Sequence, residues 1–235
     1  MNWIDPYLFF LTALALCVVF VSLALLKPPR KLSRILLAIA AGLCGIFMFL
    51  TVLELVIDDF DWMLRLRNMQ QIAIILISVF LLGYARELYH AAPAKTMKWI
   101  GILGTVSIID ILLVYTDPLH GLMRSDVAVV QVWNFTEISI QSTALNSFLG
   151  GVYPFVLTLV TIFLLLRNMF DVPKQYRVVH WLSACVVSLP VLAVIITPML
   201  TFEIPGKIAL PFSSMALLLN YCEQQKRCKY RLASV

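Results

Sequence analysis

Seven stretches of about twenty mostly apolar residues follow one another along the chain, each long enough to cross a bilayer core as one helix. They fall at about 6–26, 35–57, 69–90, 98–115, 148–166, 178–200 and 208–224 of the 235 residues. Hydrocarbon offers the backbone no hydrogen-bonding partner, so runs of this length are held to helices that satisfy their own N–H and C=O groups. Little of the chain is left over. Hydrophobic residues make up 61% and charged residues 13%, about half the charge of a soluble domain. Those numbers exclude intrinsic disorder and a soluble enzyme on a single anchor. The expected fold class is an all-α membrane protein, a seven-transmembrane helix bundle. Residues 1–225 are expected to form it, and 226–235 to begin a cytoplasmic linker.

Orientation follows from Lys and Arg, which are enriched in cytoplasmic connections. Fourteen of the 18 lie after the first, third and fifth spans and in the C-terminal tail; Arg65, Arg67, Arg124 and Lys207 lie on the other side. The consistent topology has the N-terminus outside and the C-terminus in the cytoplasm. The net charge of +5 is then a product of topology, scattered over four short pieces, and implies no nucleic-acid partner. The first span has no basic residue before it and Lys27-Pro28-Pro29-Arg30-Lys31 behind it, which reads as a retained helix rather than a cleaved signal peptide. The acids lean the opposite way: Asp5, Glu54, Asp58, Asp59, Asp61, Asp117, Asp126, Glu137 and Glu203 fall at or near the outer face.

One connection stands apart. Residues 116–147 are long and lack helical periodicity, and from Asp126 onward they are rich in β-branched and aromatic residues. The pattern predicts two short strands turning near Asn134–Glu137, an extracytoplasmic β-hairpin between the fourth and fifth spans that would cover the bundle's mouth. Asn134-Phe135-Thr136 is formally a glycosylation sequon. Cys17, Cys44 and Cys185 lie inside spans and Cys222 and Cys228 at the cytoplasmic end, so no outer disulfide is expected.

Ionisable residues inside spans are costly and usually functional. Glu54 and Asp58, four apart near the outer end of the second span, are expected to share a helix face, with Arg65 and Arg67 placed to pair with them across a short turn. Asn68, Gln70 and Gln71 open the third span, and Asp110 lies in the outer half of the fourth. Tyr115, Asp117 and His120 follow that span, with Pro118 fixing a turn; Trp133 in the hairpin and Tyr153 in the fifth span are possible pocket walls. Two readings of Glu54, Asp58 and Arg67 stay open. They close the bundle as a structural ion-pair cluster, or they line a ligand pocket between spans 2, 3, 4 and 5 under the hairpin. An acid-rich outer face would attract cations or amines, whereas Arg65 and Arg67 suit a carboxylate.

Several chemistries find no motif. The chain has no nucleophile elbow, phosphate-cradling glycine loop, His-Glu-x-x-His helix or Cys-x-x-Cys, and no lysine in the middle of the last span for a retinal Schiff base. No catalytic role, metal site or cofactor is expected.

Seven spans, an outward N-terminus, the stretch Tyr115-Thr116-Asp117-Pro118-Leu119-His120-Gly121-Leu122 and a strand-like loop before the fifth span resemble one bacterial receptor family. It is the N-terminal seven-transmembrane region of sensor histidine kinases and diguanylate cyclases, whose members commonly carry an Asn-Pro-Leu-His-like motif there. Asp117 stands where that motif usually has Asn. Leu189-Pro190, the polar connection Thr201–Lys207 and the basic tail Cys222–Tyr230 fit as well. The resemblance implies a signal-sensing receptor in the bacterial cytoplasmic membrane. It would bind a small molecule from the outer side and drive a kinase or cyclase, in cis or in trans, as a homodimer. It also raises Asp117 and His120 as elements of the outer site. Kinase or cyclase domains normally follow this region, and the stop at Val235 reads as excision from a longer protein. The alternative reading is a small transporter or channel. The Leu, Ile, Val, Phe and Ala of the cytoplasmic halves of spans 2, 3 and 5 weigh against a through-path.

Overall fold

The computed structural model describes residues 4–26, 31–90, 92–132 and 135–171, and beyond them 177, 181, 184, 185 and 188. The chain is mostly helical. Its elements run α1 (Ile4–Leu25), α2 (Leu32–Val56), α3 (Phe60–His90), α4 (Pro93–His120), β1 (Arg124–Val132), β2 (Phe135–Ser142), α5 (Ala144–Asn146), a π-helical segment (Ser147–Val152) and α6 (Tyr153–Asp171). α1, α2, α3, α4 and the composite helix from Ala144 are long and apolar enough to cross a membrane. Apart from Trp181, Ala184, Cys185 and Ser188, which are helical, the stretches at 178–200 and 208–224 lie outside the described residues, as does Trp133.

α3 is the central helix, packed on α2, α4 and α6, while α1 packs on the far side of α2. Short connections make successive helices antiparallel, and this brings the N-terminal part of α2 beside the C-terminal parts of α1, α3 and α6. There Leu25, Leu36, Leu37, Leu81, Tyr84 and Leu165 join in a buried apolar cluster. Burying side chains of this size contributes roughly 1.5–3 kcal/mol each. The opposite end of the bundle, which carries the hairpin, is polar inside.

Two expected turns are helix instead. Residues 60–68 belong to α3, because Asp59 caps it: its Oδ1 accepts the Trp62 N–H at 2.9 Å and its carbonyl the Met63 N–H. Asp61 adds a carboxylate to the first turn, where the helix dipole favours it. Arg65 and Arg67 therefore ride on α3 and do not sit in a turn. Pro118 likewise lies inside α4, which ends at Gly121 in the left-handed conformation (φ 60°), its N–H bonded to the Asp117 carbonyl at 2.7 Å. So close to the terminus, proline's missing N–H costs little.

The antiparallel hairpin is formed. Val132 pairs with Phe135, so β2 already begins inside the 134–137 range expected for the turn. β2 lies against α2 and α3.

Candidate functional site

α2, α3, β2, α5 and the π-helical segment line an open cavity of about 510 Å³ at the hairpin end. α3 supplies Arg67, Gln70, Gln71 and Ile74, whose 3-4 spacing places them on one helix face. Phe47 comes from α2, and Ile138, Ile140 and Ser142 from β2. Asn146, Ser147, Gly150 and Gly151 complete the wall. Among the described residues that line it, Arg67 alone carries charge.

Two fully buried carboxylates stand behind this wall. Glu54 on α2 and Asp110 on α4 are both 0% exposed. Gln70 Nε2 donates to Glu54 Oε2 at 2.5 Å, and Arg67 Nε lies 3.4 Å from Glu54 Oε1. Gln71 Nε2 donates to Asp110 Oδ1 and Oδ2 at 3.0 and 3.2 Å, and to Asn146 Oδ1 at 2.9 Å. Asn146 Nδ2 passes the chain on to Ser142 Oγ at 3.0 Å. An ionised carboxylate only accepts, so each glutamine must turn its NH2 inward and its carbonyl oxygen away. Bonds to a charged acceptor contribute roughly 1.5–3 kcal/mol each, and they offset the cost of holding a carboxylate away from water.

The backbone is shaped to allow this. A Cβ at Gly150 would stand 2.8 Å from Gln71 Nε2, so glycine there lets the π-helical segment close on the amide. The i→i−5 register, seen as Tyr153 N–H to the Phe148 carbonyl, is a departure from α-helix common at functional sites. Thr143 caps the turn before it, accepting the Asn146 N–H at 3.3 Å. Arg67 Nη2 also donates to the Ile138 carbonyl at 3.2 Å and so fastens β2 to α3.

Beside the cavity, Arg124 of β1 donates to Asn68 Oδ1. Its Nε is buried without an acceptor. Burial pushes the pKa of its guanidinium down, and Asp117 and Asp110 oppose that shift. Asp117 is buried and accepts the Met123 N–H at 2.7 Å, fixing the step from α4 into β1.

The expected site residues thus divide. Glu54, Arg67, Gln71 and Asp110 come together around the cavity. Asp58 does not share a face with Glu54, because α2 stops at Val56 and Ile57 is extended; Asp58 is exposed. Arg65 is exposed and stacks on the Trp62 ring at 5.3 Å, away from Glu54. Tyr115 and His120 are exposed on the last turns of α4. His120 Nε2 is 3.0 Å from Thr116 Oγ1, and its Nδ1 accepts the Leu122 N–H at 3.0 Å. Tyr153 ties α6 to α4 by donating to the Leu103 carbonyl at 2.8 Å. Trp133 lies outside the described residues. Asn146, Ser142 and Gly150 carry no motif in the sequence, and the Gly-Gly pair inside an apolar span is the one local signal that points to them.

The pattern that describes the N-terminal 7TM region of histidine kinase matches residues 8–225, nearly the whole chain. The chain belongs to this family. No curated protein matches it. A histidine-kinase 7TM region is the membrane-embedded sensor part of such a kinase, distinct from its catalytic domains, and the five long apolar helices make this one a multi-pass membrane protein. In this sensor region the cavity is walled by amides, hydroxyls, one guanidinium and aliphatic side chains, with its carboxylates held behind them. Such a wall suits recognition of a small molecule.

Proposed function

We propose that this sensor region binds a small extracytoplasmic molecule in the cavity between α2, α3, β2 and the π-helical segment, and relays its occupancy to a cytoplasmic kinase or diguanylate cyclase. The observation that carries the reading is the 510 Å³ cavity, of ordinary ligand size, whose polar groups converge on Arg67, Gln71 and Asn146. In this reading the protein sits in the bacterial cytoplasmic membrane with seven spans. Its N-terminus and hairpin are outside, and residues 1–225 form the sensor. It works as a homodimer in the full-length kinase, with residues 226–235 leading to the output domain. The apolar cluster of Leu36, Leu37, Leu81, Tyr84 and Leu165 at the end opposite the hairpin supports a sealed receptor over a conducting path.

The test uses the chain in nanodiscs and a small-molecule library, with thermal unfolding as the readout. A molecule at a hundred times its Kd adds about 2.7 kcal/mol to stability. Gly151 lines the cavity and a Cβ there meets nothing within 4 Å, so Gly151→Leu adds bulk at the cavity wall with no clash at its Cβ. The expected result is a stabilising molecule whose effect vanishes in Gly151→Leu and which is not taken up by proteoliposomes. Saturable uptake, or stabilisation indifferent to Gly151→Leu, overturns the proposal.

A further inference from the structure

The sequence alone left cations and carboxylates equally eligible, and the placement of the charges separates them. The fully buried acids, Glu54 and Asp110, are turned away behind Gln70 and Gln71. Exposed Asp58, Asp59, Asp61 and Asp126 are not among the lining residues. The charge that a ligand meets on entering is Arg67, whose side chain is 27% exposed beside its Glu54 partner. A guanidinium holds five N–H donors in a fork that matches a carboxylate, and such charge-assisted bonds are among the strongest available. Beyond Arg67 the wall grades along α3 through the two amides to Ile74, with Phe47, Ile138 and Ile140 facing the same space. Seven residues of helix separate Arg67 from Ile74, a rise of about 10 Å.

Resting on the cavity reading above, we infer that the ligand is a small amphipathic monocarboxylate. Its head group adds to the partners of Arg67, and an apolar body of up to about 10 Å lies against Ile74, Phe47, Ile138 and Ile140. Glu54 is itself not among the lining residues, and Gln70 and Arg67, which are, stand between it and the head group and offset its charge.

The experiment measures binding of acetate, hexanoate, hexan-1-ol and hexylamine to the chain in phosphatidylcholine nanodiscs by calorimetry. Hexanoate is expected to bind at least tenfold more tightly than hexanol or hexylamine. It should exceed acetate by about 250-fold, since each of the four added methylenes contributes roughly fourfold when buried. Arg67→Gln alone would strand the buried Glu54, so the informative variant is Glu54→Gln/Arg67→Gln, which removes both charges and keeps an amide oxygen for Gln70. It should weaken hexanoate by tenfold or more and leave hexanol unchanged. If hexylamine or hexanol matches hexanoate, or the double variant binds hexanoate as the parent does, while Gly151→Leu still abolishes binding, the carboxylate assignment falls and the cavity reading stands. If Gly151→Leu changes none of the four, both fall.

Discussion

Replacing Gln71 with leucine removes the amide that joins α3 to α4 and to the turn before the π-helical segment, and leaves Asp110, at 0% exposure, without its side-chain donor. The magnitude follows from the bonds lost. One donates to a charged acceptor, worth roughly 1.5–3 kcal/mol, and one to the neutral Asn146 oxygen, worth about 1 kcal/mol. Leucine returns little by burial, since the position borders the cavity. The expected cost of Gln71→Leu is therefore about 2.5–4 kcal/mol. Removing the carboxylate as well should recover most of it: in Gln71→Leu/Asp110→Leu no buried charge is stranded, and apolar replacement of both partners is nearly neutral. Arg124 keeps Asn68 and the neighbouring Asp117 in that double variant. Unfolding by a denaturing detergent in mixed micelles, run on the parent, both single variants and the double, gives the coupling energy as a cycle, expected at about 2–3 kcal/mol. A single-variant cost below about 1 kcal/mol, or a double variant no more stable than Gln71→Leu, refutes the account of the buried network.

Two further outcomes are expected. Gly45→Ala should destabilise the bundle by about 1–2 kcal/mol, because the new Cβ would stand 2.6 Å from Val19 Cγ2 and 3.2 Å from the Ala15 carbonyl; Gly101→Ala, with nothing within 4 Å, should be neutral or stabilising by up to about 1 kcal/mol in the same unfolding assay. His120→Ala should leave small-molecule affinity within twofold and unfolding unchanged, since His120 is exposed, is not among the cavity's lining residues and bonds locally to Thr116 and Leu122. A loss of affinity in that variant would move the site toward the end of α4.

How far the sequence could be read depended on the kind of signal. Hydropathy marks where apolar runs begin, so the five long helices were legible, but it ends a helix at the first charges. By that signal the charged start of α3 and the Tyr115–His120 end of α4 read as connections. Capping by Asp59 and the left-handed Gly121 set those ends, and both are single-residue signals inside longer polar stretches. Glu54 and Arg67 were legible as an ion pair because charge near an apolar span has few innocent explanations. Asp58 departs from the expected face because four-residue spacing predicts a shared face only while the helix continues, and α2 stops two residues earlier. Gln71, Asp110 and Asn146 were harder. Their meeting joins positions 39 and 75 residues apart, and no local pattern encodes that contact.

On the proposed reading, these long-range bonds also say where a ligand's energy can act. A ligand shifts a bundle between two packings only by binding them unequally, so its effect concentrates at a group that both touches the cavity and holds another helix. Gln71 is such a group. It lines the cavity, anchors Asp110 on α4 and Asn146 before the π-helical segment, and has Gly150 closed against it. Arg67 is a second, joining the cavity to β2 through the Ile138 carbonyl. A ligand that exchanges for one charge-assisted bond at either place changes the balance by roughly 1.5–3 kcal/mol, a ten- to hundredfold change in populations. The apolar cluster at the opposite end offers no comparable bond to exchange, so on the same reading it would be the rigid body against which the polar end rearranges. Coupling of that size suffices for a sensor, and it needs no path for the ligand through the bundle.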